Sequence, residues 1–171
     1  MEARIHIEPH IEVHKFRFGV IAATVLLALV FEAFLPIHFR RADMLELPLL
    51  VTIYFALSRR NPSAGLLLGM VVGVAQDSLS HTPIGLYGIA KTLVGFVASS
   101  LGSRIDVEHP LSRFFLTLFF FYFHHAVFVL TERLLLAERE PFVTVSLLMA
   151  SLVNAALGVV LFPLLDRFRQ S

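Results

Sequence analysis

Eight polar or ionisable residues stand inside long apolar runs of this chain: Glu32, Gln76, Asp77, Lys91, Tyr122, His124, His125 and Asn154. A charge at the centre of a bilayer costs about 3 kcal/mol on insertion scales, so each charged member needs a partner or a cavity. Asp77 and Lys91 lie on consecutive apolar stretches joined by S-H-T-P. With the hairpin turning near Thr82, the two are offset by about one helical turn, a gap a lysine stem can bridge. Three readings follow: an ion pair that fixes hairpin register, a ligand-binding or proton-relay site, or an Asp77 that faces periplasmic water. His124 and His125 are adjacent, so in a helix they point to different faces and cannot share one metal. Among Phe119, Phe120, Phe121, Tyr122 and Phe123, they read as an interhelical hydrogen-bonding pair. Glu32 and Asn154 read as bridges between helices.

Other chemistry has little support. No H-E-x-x-H, G-x-S-x-G or P-loop sequence occurs. Ser99, Ser100 and Ser103 read as small packing residues. The chain has no Cys, which removes disulfides, thiolate metal sites and a Cys nucleophile. No catalytic residue, metal site or cofactor is expected.

The elements that must position these residues are apolar helices. The chain has 171 residues, is 57% hydrophobic and only 16% charged, and has a mean hydropathy of +0.78. Its apolar residues fall in long runs separated by charges, the pattern of a polytopic membrane protein. Six spans are expected, near residues 18–38, 44–58, 62–79, 83–102, 111–136 and 142–165. The second is short, about 22 Å at 1.5 Å per residue against a hydrocarbon core of about 30 Å. Pro62, Pro83, Pro110 and Pro141 each fall at or just before a span start, where a missing N–H is harmless. One membrane domain is expected over residues 18–166, with tails at 1–17 and 167–171.

Orientation follows the basic residues. Arg4, Lys15, Arg17, Arg59, Arg60, Arg104, Arg113, Arg167 and Arg169 outnumber Arg40, Arg41, Arg133 and Arg139 on the opposite side. The excess puts both termini in the cytoplasm. The first apolar segment continues into P-I-H-F-R-R, which reads as a retained span, not a cleaved signal.

The third and fourth spans carry thin faces. Gly65, Gly69, Gly73 and Asp77 recur every four residues and share one face of a helix. Gly85, Gly88, Gly95 and Gly102 form a similar stripe on the next span. Small residues let helix backbones approach closely, so these faces suit docking against each other or against a helix of another protein. The N-terminal I-H-I-E-P-H-I-E-V-H alternates apolar Ile5, Ile7, Ile11 and Val13 with His6, Glu8, His10, Glu12 and His14. That is a strand period, and it reads as an extended tail, ahead of a strand added to a partner's sheet edge or a metal site.

These residues resemble the rod shape-determining protein MreD family over essentially the whole chain. The most specific part is G-M-V-V-G-V-A-Q-D-S-L-S-H-T-P-I-G-L-Y-G-I-A-K-T-L-V-G-F-V. It is similar to the family's glycine-rich third span ending in an aspartate, followed by a hairpin with Pro-x-Gly-x-x-Gly, here Asp77, Pro83, Gly85 and Gly88. Leu47 to Leu57, L-P-L-L-V-T-I-Y-F-A-L, also looks like its second span. The His/Glu tail and Lys91 depart from the family pattern.

The resemblance implies an all-α inner-membrane fold of six helices, similar to the S-components of energy-coupling-factor transporters. It implies a non-enzymatic scaffold of the bacterial cell-elongation and peptidoglycan-synthesis machinery. The partner would be MreC, and through it MreB, RodA and its transpeptidase; a homo-oligomer is left open. On this view the partner face runs along Gly65, Gly69 and Gly73. The alternative is a substrate-binding subunit of a vitamin-type transporter. S-components of that type usually carry an A-x-x-x-A face on the first span, and G-V-I-A-A-T-V-L-L-A-L-V-F-E-A has none.

Overall fold

A computed structural model describes residues 16–39, 44–80, 82–102, 104–105, 107–136 and 144–169. Within them run six α-helices: α1 Phe18–His38, α2 Leu47–Arg59, α3 Pro62–Ser80, α4 Leu86–Leu101, α5 Pro110–Leu136 and α6 Val145–Asp166. The described residues contain no strand. The alternating N-terminal segment, with His6, His10 and His14, and Pro141 lie outside the described residues.

The boundaries have local causes. Pro62 and Pro110 open α3 and α5, and Pro48 sits in the first turn of α2, positions where a missing N–H loses no helical bond. Thr144 caps α6 by accepting the Leu147 N–H at 3.1 Å. Asn61 accepts the Ala64 N–H at 3.1 Å at the start of α3. Pro83 lies in the turn ahead of α4, and the helix begins only at Leu86, after Gly85 takes φ +113°.

Four helices, α1, α3, α5 and α6, are long and apolar enough to cross a membrane. The other two expected spans are shorter than the runs that suggested them: α2 has 13 residues and α4 has 16. At 1.5 Å per residue they are about 20 and 24 Å long. The reason is positional. Every residue of α2 from Pro48 to Ser58 is buried, and α2 touches all five other helices. A helix wrapped by protein need not match the hydrocarbon thickness, because its ends are sealed by its neighbours.

Around α2 the chain runs up and down. Phe16, ahead of α1, packs edge-to-face on Tyr54 and Phe55 near the end of α2, while Glu32 near the end of α1 meets Gln76 near the end of α3. The outward faces are apolar: Leu26, Phe34, Leu67, Phe115, Phe119 and Val160 are all exposed. Such a surface is stable against lipid and unstable against water.

The tightest packing joins α3 to α4. Gly69 lies against the backbone of Lys91, Gly73 against that of Tyr87 and Gly88, and Gly65 against Gly95 and Ser99. A methyl group at Gly69 or Gly73 would overlap main-chain atoms, which cannot rotate away. Here the missing Cβ is a condition of the interface.

Candidate functional site

Asp77 closes the α3–α4 hairpin. It is 1% exposed, and its carboxylate accepts the N–H of Gly85 at 2.8 Å, of Tyr87 at 2.9 Å and of Gly88 at 3.0 Å. The Thr82 hydroxyl adds a fourth bond at 3.3 Å. The N-cap residue of α4 is Gly85, which has no side chain to cap with. Asp77 therefore caps α4 from the neighbouring helix, where free N–H groups and the helix dipole favour a negative charge. Gly88 adjoins the same carboxylate: a Cβ there would crowd the Val74 side chain and reach van der Waals contact with Asp77 Oδ2.

Of the three readings of Asp77 and Lys91, the ion pair does not form, and Asp77 does not face water either, being 1% exposed. Asp77 is held by α4's first turn, and Lys91 turns the other way. Lys91 is fully buried and donates to Glu46 Oε2 at 3.3 Å. Its Nζ is also 3.3 Å from His124 Nε2 and 4.6 Å from the Tyr87 ring centre. Donation to His124 requires the Nδ1–H tautomer, which leaves Nε2 free to accept. His124 stacks on Tyr87 with ring centres 5.9 Å apart, so α4 and α5 are joined through a cation, an imidazole and a phenol. Glu46 was not singled out from the sequence. It lies inside the expected second span but one residue ahead of α2 itself, and no periodicity marks it as Lys91's counter-ion.

The remaining intramembrane polar residues bridge elements. Gln76 Nε2 donates to Glu32 Oε1 at 2.6 Å, linking α3 to α1. Asn154 Oδ1 accepts the Glu46 N–H at 2.9 Å, and its Nδ2 donates to the Met44 carbonyl at 2.6 Å and to Ala150 at 2.9 Å. Asn154 thus ties α6 to the segment entering α2, and so positions Glu46. Ser151 Oγ and Tyr122 OH lie 3.1 Å apart between α6 and α5. Ser99 Oγ donates within α4 to the Gly95 carbonyl, a packing role.

Two polar cavities flank this centre, and Glu46 and Tyr87 line both. One, of about 260 Å³, lies between α1 and α3 beside Glu32 and Gln76. The other, of about 310 Å³, is lined by His124, His125, Phe128 and Glu132 of α5. The two histidines do not share a role: His124 is buried against Lys91, while His125 is half-buried. No group of three His, Cys, Asp or Glu with metal-holding geometry occurs among the described residues.

The opposite end of the bundle carries a second network that the sequence did not single out. Asp166 accepts from Tyr54 OH at 2.8 Å, from Arg113 at 2.6 Å and from Arg169 at 2.6 Å. Arg113 also donates to the Val107 carbonyl at 3.0 Å, and Arg169 pairs with Glu108 at 3.1 Å. The network ties together the end of α2, the start of α5 and the end of α6. Its signal was available in the basic residues used for orientation, but acidic partners at span ends look like ordinary solvated charges.

The seven glycines of the two stripes have three fates, and Gly102 lies against the Leu57 backbone of α2. Gly65, Gly69, Gly73, Gly88 and Gly95 all lie in the α3–α4 interface, whereas a Cβ at Gly85 would meet open space and its φ alone requires glycine. Of the two occupants the sequence allowed for the thin faces, the chain uses its own. A larger apolar feature lies elsewhere, a groove of about 450 Å³ between α1 and α6 with α2 as its floor. Val20, Thr24 and Ala28 form one wall, Val51 the floor, and Leu161 and Leu165 the other wall.

A helical bundle with an apolar surface, four membrane-length helices and most of its intramembrane polar side chains bonded between helices defines an integral membrane protein. Over residues 13–171 the chain matches the family model of the rod shape-determining protein MreD, and it belongs to that family. Neither curated proteins nor solved structures match it. Membership gives the chain a role in determining cell shape.

Proposed function

We propose that this chain is a non-enzymatic scaffold subunit of the inner-membrane machinery that elongates the cell wall, and that it binds MreC by helix packing. MreC would then connect it to MreB filaments and to RodA and its transpeptidase. All six helices lie within the membrane, the termini (residues 1–17 and 167–171) are cytoplasmic, and residues 18–166 form one membrane domain. The basic residues near Arg60, Arg104 and Arg169 support this orientation.

One observation carries the reading: among the described residues α1 packs only on α2 and α3, and none of them fills the apolar groove beside α6. The glycine faces are already engaged with each other, so the packing that binds MreC is assigned to this groove. Lipid has no preference among apolar surfaces, so a groove with small residues such as Ala23 and Ala28 favours a close-packed helix.

The test is affinity purification of the tagged chain from its own membranes, with mass spectrometry of what remains bound. Ala23→Phe fills the groove from an exposed position. The wild type is expected to retain MreC and Ala23→Phe to lose it while remaining inserted. Equal recovery of MreC by both removes the groove, and recovery of a coupling protein with paired ATPases removes the scaffold.

A further inference from the structure

We propose that the cavity between α1 and α3 is a binding site for a primary ammonium group. It measures about 260 Å³, and Glu32, Glu46, Gln76, Ala33, Leu79 and Tyr87 are among the residues that line it. A water takes up about 30 Å³ of liquid, so the space admits several heavy atoms.

Two buried acceptors in its wall are unsatisfied. Gln76 is 2% exposed, and its Oε1 has no hydrogen-bond partner. Glu32 Oε2 has none either. The Leu47 N–H at the start of α2 faces the Glu32 carboxyl without reaching hydrogen-bond geometry at Oε2. A buried acceptor left without a donor costs about 1–3 kcal/mol, more if charged. A ligand that brings N–H or O–H donors would meet this need.

Charge narrows the choice. The charged groups that act on Glu32 are Glu46 and Lys91, and Lys91 is already paired with Glu46. Two carboxyl groups, Glu32 and Glu46, face the single ammonium of Lys91, so among the described residues a second cation here would find a carboxyl that Lys91 does not already hold. A group with one positive charge and several N–H bonds matches both that carboxyl and the donor deficit. A bare metal ion matches neither the volume nor the ligand count among the described residues.

The site lies near the end of the bundle, since Glu32 is six residues from the last residue of α1, about 9 Å along the axis. That depth suits the amine of a phospholipid headgroup or a small soluble amine, the same chemistry from two sources.

The full chain is reconstituted in nanodiscs of phosphatidylglycerol mixed with either phosphatidylethanolamine or phosphatidylcholine. It is also held in detergent with ethanolamine or choline, and thermal unfolding is followed in each. Choline keeps the charge but has no N–H. Ligand at about a hundredfold excess over Kd should raise the midpoint by about 5 °C or more. An ethanolamine-over-choline rise confined to nanodiscs assigns the site to a lipid headgroup. The same rise with the free amines in detergent assigns it to a soluble amine. The rise should vanish in Glu32→Gln and in Ala33→Leu. Ala33→Leu fills the cavity from an exposed position and decides the matter if Glu32→Gln does not fold. Equal midpoints with ethanolamine and choline in both settings, or a rise that survives Ala33→Leu, overturns the proposal.

Discussion

Asp77 on α3 accepts the backbone N–H of Gly85 at 2.8 Å, and so caps the helix that follows it in the chain. Two more N–H groups of α4's first turn share the same carboxylate. The aspartate, the Pro-x-Gly-x-x-Gly and the preceding glycines are therefore parts of one device. The glycines bring α3 and α4 close, Gly85 turns the chain, Gly88 makes room, and Asp77 satisfies the N–H groups that water cannot reach.

Asp77→Ala should destabilise the bundle by about 2–4 kcal/mol, because it leaves several buried donors unsatisfied at once. Asp77→Asn keeps one acceptor and should cost roughly half as much. Denaturant unfolding in detergent measures both. An unchanged midpoint for Asp77→Ala would show that the cap contributes nothing.

Lys91 and Glu46 should behave as a unit. Lys91→Met alone leaves Glu46 without its counter-ion, and Glu46→Gln alone leaves a fully buried ammonium; loss of one partner of a buried pair costs about 3–5 kcal/mol. The double variant should be more stable than either single one. A double-mutant cycle on unfolding free energies reads this directly, and simple additivity would refute the coupling.

Gly69→Leu should prevent α3 and α4 from closing, because the new side chain meets Lys91 backbone. Loss of fold, not merely loss of a partner, is the expected result. Gly19→Ala is the control: nothing lies within 4 Å of its added Cβ, and the change should be neutral or stabilise by about 1 kcal/mol. Trypsin resistance and detergent gel filtration distinguish the two.

Asp166→Asn should weaken the other end by about 1–3 kcal/mol, since Arg113 is buried and donates to this carboxylate. Tyr54→Phe removes a single bond and should cost about 1 kcal/mol. Thermal unfolding of the two variants should preserve this order, and a reversed order would mean that Arg113 finds another acceptor.

The orientation has its own test, helped by the lack of native cysteine. Ser80→Cys and Arg104→Cys introduce thiols at exposed positions at opposite ends of the bundle. A membrane-impermeant maleimide should label the first in cells with a permeabilised outer membrane and the second only after lysis. The reverse pattern would invert the topology.

The sequence by itself determined the helical class, the number of helices, the approximate ends of the long ones and the family. Each of these rests on local or periodic information. Apolar runs must form helices in lipid, prolines mark helix starts, and four-residue glycine spacing marks a thin face. It also named most residues that need partners, since a polar group in an apolar run is conspicuous. The partners were another matter. Asp77 and Lys91 are neighbours along the hairpin, yet the first is taken by Gly85, Tyr87 and Gly88 and the second by Glu46, 45 residues away. Main-chain N–H groups carry no sequence signal, and Glu46 and Asp166 sit at helix ends where a charge looks solvated. Only the tertiary structure decided that α2 is the enclosed helix, that α3 and α4 use up each other's glycine faces, and that a groove remains between α1 and α6. These depend on which faces meet across the bundle, and helices in lipid select their neighbours by shape, which no single helix's composition encodes.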